Sequence, residues 1–190
     1  MRSFSSSMAC SSLDCDDDNV DEFSEGLAPV EVKGKWGYVN PSGDMVIAPI
    51  FDREAPFEDG VAIIKINQKY GIIDKEGNYI VEPKEITNCS ARFENGYLRV
   101  QIDYGHWGVI NKSGEWVIKP TFDYIVKGLS EGKMRIRNNE QFGFVDLQTG
   151  SVIPPLFNFV WDFNNGLARV RVTELQRKLF EVWKKQSSEL

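Results

Sequence analysis

The sequence predicts an all-β protein assembled from tandem three-stranded meander repeats of about 35 residues, and three observations carry that prediction. An aromatic-glycine pair followed six or seven residues later by a second glycine occurs four times. The copies are Trp36-Gly37 with Gly43, Tyr70-Gly71 with Gly77, Trp107-Gly108 with Gly114, and Phe142-Gly143 with Gly150. A proline stands 12 residues after the first glycine each time, at Pro49, Pro83, Pro120 and Pro155. A second signal alternates with the first: a large apolar residue, two positions, then a glycine that opens an alternating run. Its five copies are Phe23/Gly26, Phe57/Gly60, Phe93/Gly96, Leu129/Gly132 and Phe163/Gly166.

Each element follows from its residues. In KWGYVNPSGDMVIAP, two short strands flank Pro41-Ser42-Gly43, a turn whose glycine takes the positive φ a hairpin bulge requires. The same slots read Lys75-Glu76-Gly77, Lys112-Ser113-Gly114 and Gln148-Thr149-Gly150. We name the strands a (36–40) and b (45–48), and the run after the second signal c (61–66). Strand a is apolar on both faces, as in Ile72-Ile73, Val109-Ile110 and Phe144-Val145, so it belongs in the middle of a c-a-b meander. The glycine after each aromatic leaves a strand position bare, for a neighbouring ring to cover. Strand c alternates: Ala62, Ile64 and Ile66 share one face, as do Leu98, Val100 and Ile102, and Ala168, Val170 and Val172. The opposite face carries Lys65, Arg99, Gln101, Arg135, Arg137, Arg169 and Arg171, which reads as one buried face and one wet face.

One meander cannot bury its own apolar face, so neighbouring units pack on each other. A propeller closed by its termini splits one blade between the chain ends. Here five c strands accompany four complete a-b hairpins, so an open twisted stack is expected over a small closed β-propeller. Thr173-Glu174-Leu175-Gln176 reads as a capping box, with Leu175, Leu179, Val182 and Trp183 at helical spacing behind it. A short amphipathic helix over about residues 173–185 is expected to cover the last unit. The expected organisation is a tail over 1–24, a repeat domain over 25–172 with hairpin units starting near 35, 69, 106 and 141, and a cap over 173–190.

The 190 residues carry a formal net charge of −6. Residues 1–25 hold Arg2 against seven carboxylates and account for all of it; the other 165 residues carry 21 basic and 21 acidic side chains. That balance excludes a strongly basic nucleic-acid binder, and no apolar run reaches the roughly 20 residues that span a bilayer. The tail is rich in Ser and Asp, lacks the apolar core of a secretory signal, and is expected to be disordered. Asp14, Asp16, Asp18 and Glu25 fall at positions 1, 3, 5 and 12 of an EF-hand-like loop. Asn19 replaces the usual glycine there, Asp21 replaces an apolar residue, and no metal site is expected. Cys10, Cys15 and Cys89 give no disulfide framework. The compartment is left open, with the missing signal and missing disulfides pointing towards the cytoplasm.

These motifs resemble the WG-repeat, or KWG-repeat, family. The resemblance rests on Lys35-Trp36-Gly37-Tyr38-Val39, Gly43, Val46 through Pro49, and Phe57 through Gly60-Val61-Ala62. Later copies read KYGIID, HWGVIN and QFGFVD, closed by YIVEP, WVIKP and SVIPP. The second copy departs by placing Glu85-Ile86 where the others have Phe51-Asp52, Phe122-Asp123 and Phe157-Asn158, and Pro29 interrupts the first strand c. The resemblance implies a β-rich array that binds or scaffolds, with no catalytic residues or cofactor to carry over.

Candidate chemistry is sparse. The single histidine, His106, stands in the Lys slot of the third KWG motif and reads as an exposed strand start. Asp52, Asp74, Asp123 and Asp146 could pair for glycoside hydrolysis, but their repeat-equivalent places point to turn formation. Trp36, Tyr70, Trp107 and Phe142, with the glycines after them, read as the structural signature, while Tyr79 and Trp116 on strand b are the surface aromatics. Arg99, Arg135 and Arg169 share one position in successive c strands; Arg137 and Arg171 share another, beside Lys65. Stacked, they would form an anion-binding stripe. The expected function is a non-enzymatic scaffold for a protein or another anionic macromolecule. A carbohydrate-binding module is the alternative, and a glycoside hydrolase a distant third.

Overall fold

The computed structural model describes residues 22–102 and 105–187. Most of the expected tail, including Asp14, Asp16, Asp18, Asn19 and Asp21, lies outside these residues. The chain divides into two compact units, Met1–Phe93 with Lys112–Gly114, and Glu94–Asn111 with Glu115–Leu190.

The first unit holds two meanders. β1 (Ala28–Val32), β2 (Lys35–Val39) and β3 (Met45–Phe51) pair in chain order, and β4 (Val61–Ile66), β5 (Lys69–Asp74) and β6 (Tyr79–Cys89) repeat the pattern. In the second unit the same order recurs in β7 (Tyr97–Ile102), β8 (Trp107–Asn111) and β9 (Trp116–Phe122). It recurs again as β10 (Tyr124–Ile125), β11 (Lys133–Asn138), β12 (Gln141–Asp146) and β13 (Val152–Phe157). β14 (Phe159–Val160) pairs with β15 (Val170–Arg171), and α1 (Glu174–Ser187) ends the unit. The strand pairings within each unit are antiparallel, and no sheet among the described residues closes into a barrel.

Five c strands and four a-b hairpins are present among the described residues, as the spacing predicts, and strand a is central in each meander. Ile72 and Ile73, Val109 and Ile110, and Phe144 and Val145 are all buried, which accounts for a strand apolar on both faces. The cores form between consecutive repeats. Tyr38, Ile47 and Phe51 of one meander meet Ala62, Ile64 and Ile73 of the next, and Val109 and Ile118 likewise meet Met134, Ile136 and Val145.

Among the described residues, the structure adds a fourth element after three of the four meanders. After strand b the chain turns and lays a short strand, here d, against the next c strand: β10 on β11, β14 on β15, and a bridge from Arg53 to Lys65. Two-residue strands leave no periodic trace in a sequence, which is why the spacing shows three strands.

The aromatic-glycine pair has a different reason from the one expected. A Cβ on Gly37 would lie 2.5 Å from the Ile47 carbonyl oxygen; on Gly71, 2.7 Å from that of Val81; on Gly143, 2.3 Å from that of Ile153. Strand b therefore presses its backbone onto the bare position, while its register with strand a shifts, opposing Tyr38 to Ile47 but Trp36 to Phe51. The proline lies inside that bulge, where a missing N–H breaks no ladder. At Gly108 a ring does approach, Trp116, but the Ile118 carbonyl oxygen at 2.6 Å is nearer.

Two departures read from the sequence are corrected by register. Ile86, not Glu85, opposes Tyr70 and fills the buried slot of Phe51, because the second bulge holds one more residue than the others. Pro29 does not interrupt strand c: it stays in β1 opposite Tyr38, and β1 is an edge strand among the described residues, where a lost donor is tolerated.

The turns are built from carboxylates and amides. Asp74 accepts the N–H groups of Glu76 and Asn78, and Asp146 those of Gln148 and Thr149; Asn40 and Asn111 do the same work in the other hairpins. Between strands c and a, Lys33-Gly34, Asn67-Gln68 and Asn139-Glu140 all have positive φ, the signature of two-residue hairpin turns that match strand twist. Asp52 and Asp123 accept N–H groups from two of these turns, at Asn67 (2.7 Å) and Asn139 (2.8 Å).

Backbone donation by Thr149, with Lys133 beside it, lowers the Asp146 carboxyl to about 2. Asp74 is lowered by Asn78, Asp52 by Lys35, and Glu25 by Lys75. Folded values below the unfolded ~4 mean that this stability is complete above pH ~4 and is lost as pH falls through the folded pKa. Asp146→Asn should therefore keep the turn, as Asn40 and Asn111 do, and flatten the decline between pH ~4 and ~2. Urea midpoints across that range check it; an unchanged acid slope would contradict it.

The helix caps the last unit by a route the apolar spacing does not show. Thr173 and Gln176 form the reciprocal capping box, with Gln176 Oε1 accepting from the Thr173 N–H at 2.8 Å and Thr173 Oγ1 accepting from the Gln176 N–H at 3.3 Å. The inward face carries Gln176, which donates to Asn158 Oδ1, and Phe180, whose ring lies 5.1 Å from that of Phe157. Leu175 and Leu179, expected on that face, are exposed; the side chains at 182 and 183 lie outside the described set. Gln176 and Phe180, four residues apart, define the buried stripe instead.

Candidate interaction face

The repeated arginines do not form one uniform wet stripe. In the second unit, β7 and β11 send arginine side chains from this face to the segments that follow. Ile63, at the place of Arg99, is buried, and Arg99 itself is only 6% exposed. Arg99 Nη1 donates to the Ile125 carbonyl at 2.9 Å, so this side chain is a strut running from β7 to the next short d strand. Arg135 reaches the following repeat too, with Nε 3.0 Å from Asp162 Oδ1. In the first unit, Lys65 lies over the Tyr70 ring at 5.0 Å.

Arg99→Met keeps the stem of the strut and removes its donor. It should cost roughly 1–3 kcal/mol, since a buried carbonyl loses its partner. Arg171→Met, at an exposed position, should stay within about 0.5 kcal/mol. Denaturant titration distinguishes them, and equal effects would contradict the strut.

Towards the end of the second unit the same strand positions become exposed and meet aromatic rings. On the β14–β15 pair, Phe159 opposes Arg171, and the Trp161 N–H donates to the Arg169 carbonyl one pair further on. Residues two apart on a strand share a face, so Phe159, Trp161, Arg169 and Arg171 form one surface. Arg169 Cζ lies 3.9 Å from the Trp161 ring centroid, and the Phe159 and Trp161 rings are 4.8 Å apart. Phe159 is 41% exposed, and Arg169 and Arg171 are exposed. β10 and β11 carry a second version: Tyr124 opposes Arg137, whose Cζ is 5.6 Å from the Tyr124 ring. Stacking fixes each guanidinium in place, and an exposed cation–π pair contributes ~0.5–1 kcal/mol.

Tyr124, Phe159 and Trp161 escape the sequence reading because they sit on or directly after the d strands, although Phe159 and Trp161 alternate as strand residues do. The other candidates are placed as follows. Tyr79 in the first unit and Trp116 in the second are 43% and 40% exposed at equivalent starts of strand b. Trp36 and Tyr70 are partly buried, Trp107 is buried in a core, and Phe142 packs on Phe159 at 5.7 Å. His106 is exposed. Asp52, Asp74, Asp123 and Asp146 serve turns, and Glu25 accepts the N–H groups of Asp59 and Gly60 while pairing with Lys75 at 3.0 Å. No helix among the described residues is long and apolar enough to cross a membrane.

Fold and surface together define a tandem β-meander scaffold. Comparison with known families then supplies the family: the profile described as WG containing repeat matches residues 18–36, 36–70, 70–104, 107–141 and 142–175, and the chain belongs to that family. Four of these matches begin at or beside Trp36, Tyr70, Trp107 and Phe142. A search of curated proteins finds no match. Among solved structures, the chain is similar to HIRA(644-1017), at 9% identity and TM-score 0.40 over 71% of this chain and 52% of that one. It is similar to Kluyveromyces lactis Hsv2, at 12% and 0.46 over 80% and 52%, and to the WD40 beta propeller domain of Doa1, at 12% and 0.35 over 82% and 68%. The chain thus spans about half the length of the first two.

Proposed function

We propose that this WG-repeat chain is a non-enzymatic scaffold that binds an acidic segment of a partner protein through the arginine–aromatic face of its second unit. The observation that carries the reading is the pair of exposed guanidinium groups, Arg169 and Arg171, on one surface with exposed Phe159 and half-buried Trp161 at the β14–β15 pair. Arginine and aromatic residues dominate the energetics of protein interfaces, since they supply large rigid contact area with directed donors. Stacked guanidiniums can also take carboxylates bidentately while their planes stay on the rings. The turn duties of Asp52, Asp74, Asp123 and Asp146 support a reading without catalytic carboxylates.

The test uses a labelled random copolymer of glutamate and tyrosine and the full chain, read by fluorescence anisotropy. Binding should weaken at least ~10-fold in Arg169→Glu/Arg171→Glu, and should fall with salt as exposed charge pairs do. A neutral oligosaccharide should not compete. Undiminished binding by the double variant at unchanged stability would overturn the proposal, and competition by the oligosaccharide would favour a carbohydrate module.

A further inference from the structure

One cross-strand pair changes chemistry between the units. In the second unit the bridge from strand d to strand c sets a ring against a cation, Tyr124 against Arg137 and Phe159 against Arg171. In the first unit the same bridge sets Arg53 against Lys65. The Lys65 N–H donates to the Arg53 carbonyl at 2.9 Å, so the two are direct cross-strand neighbours. The side chains of such a pair leave one face of the sheet, and like charges directly opposite destabilise it. Lys65 Nζ lies 5.0 Å from the Tyr70 ring centroid, and Arg53 is exposed. Among the described residues neither cation forms an ion pair with a carboxylate. Asp52 attracts Lys65, but its oxygens bond Lys35 and the Asn67 N–H.

Both cations stand on the wall of a cavity. It measures about 280 Å³ and adjoins a second of about 190 Å³, with Ala55, Ile63 and Ala91 shared between them. Each exceeds the ~150 Å³ of an engineered apolar cavity that takes up benzene. Ile63, where the later c strands carry Arg99, Arg135 and Arg169, sends no arginine side chain across this space. The larger cavity sets Arg53 and Lys65 against one acid, Glu54, and so carries one surplus positive charge. Burial pushes the Cys89 thiol up to about 12, so that wall residue adds no charge. The smaller cavity is walled by Pro56, Val61 and Phe93, with Arg92 and Glu58 equal and opposite in charge. One end of the space is cationic and the other is apolar.

We propose that these two cavities bind a monocarboxylate carried on a small apolar body. The carboxylate would sit between Arg53 and Lys65 and relieve their repulsion. The body would pass Ile63, Ala55 and Ala91 into the smaller cavity. Arginine supplies a fixed pair of donors and lysine a compact charge on a flexible stem, a combination suited to one carboxylate. A single surplus charge suits a monoanion better than a dianion, because Glu54 repels the second charge. A free organic acid and the C-terminal residue of a polypeptide present the same chemistry, and the test separates them. This site lies in the first unit and is independent of the arginine–aromatic face.

The test is an NMR titration of the full chain at low salt with hexanoate, N-acetyl-leucine and hexanamide. At least one of the two acids should shift amides at 53–55, 63–65 and 89–91, with a Kd of order 1 mM, typical of so small a ligand. Tighter binding of hexanoate assigns a free acid, and tighter binding of N-acetyl-leucine assigns a chain end. Hexanamide keeps the body without the charge and should bind at least ~10-fold more weakly than hexanoate. Arg53→Met removes one cation at an exposed position. It should weaken the acids at least ~5-fold, while the urea midpoint of the free chain does not fall. Ala91→Leu, also exposed, narrows both cavities and should abolish the shifts. Absence of localised shifts with both acids, hexanamide binding as tightly as hexanoate, or acid binding unchanged in either variant would each overturn the site. A lowered midpoint in Arg53→Met would overturn the repulsion on which it rests.

Discussion

Gly143→Ala should destabilise the second unit by ~3 kcal/mol or more, the upper end of what overpacking a close contact costs. The added methyl would stand 2.3 Å from the Ile153 carbonyl oxygen and 2.7 Å from the Pro154 carbonyl carbon. Both are backbone atoms of the bulge, and neither can swing aside as a side chain would. The equivalent Gly37 would meet the Ile47 carbonyl oxygen at 2.5 Å. Gly166 offers the control: a Cβ there meets nothing within 4 Å, but φ is +73°. Gly166→Ala should therefore cost only ~1 kcal/mol, the strain of a left-handed backbone. Thermal and urea unfolding of the two variants measure the contrast. Equal stabilities would mean that the aromatic-glycine pair is not set by backbone approach.

The second large effect is expected at Phe57. Its side chain is 0% exposed, and its ring meets Tyr38 edge-on at 4.9 Å. The Tyr38 hydroxyl donates to the Ala55 carbonyl at 2.8 Å, and Ser24 Oγ donates to the Phe57 carbonyl at 2.6 Å. The turn that opens strand c is thereby tied to the preceding repeat from both ends. Phe57→Ala should cost ~3–5 kcal/mol, the range for emptying a buried aromatic site. Phe23 holds the same repeat position but is 48% exposed, and Phe23→Ala should cost under ~1 kcal/mol. Urea titration separates the two, and a mild Phe57→Ala would contradict the packing described here.

The spacing of Trp36, Tyr70, Trp107 and Phe142 is enough to read the repeat, the strand order and the central place of strand a. These properties are local and periodic, so a sequence displays them. The register of the bulge is less visible: it depends on how many residues lie between a proline and the next buried residue, and Ile86 shows that one insertion moves the slot. The d strands are invisible for a related reason, since two residues held by a neighbour carry no pattern of their own.

The arginines illustrate the same limit at the candidate site. Arg99, Arg135 and Arg169 are equivalent by position, and alternation alone assigns them one wet face. Whether such a side chain is a strut or an exposed group depends on what the following repeat brings against it. Arg99 meets the Ile125 carbonyl and is buried; Arg169 meets Trp161 and stays exposed. Packing between repeats, rather than the repeat itself, decides which arginines are available to a partner.

The most direct measurement of that claim is a backbone amide footprint of the full chain with the glutamate–tyrosine copolymer bound. Shifts or added protection concentrated at 124–126, 136–137 and 159–171 are the predicted result, with Arg99 and its neighbours on β7 unchanged. A footprint centred on the strand-b surface around Tyr79 or Trp116, with β14 and β15 unaffected, would contradict it.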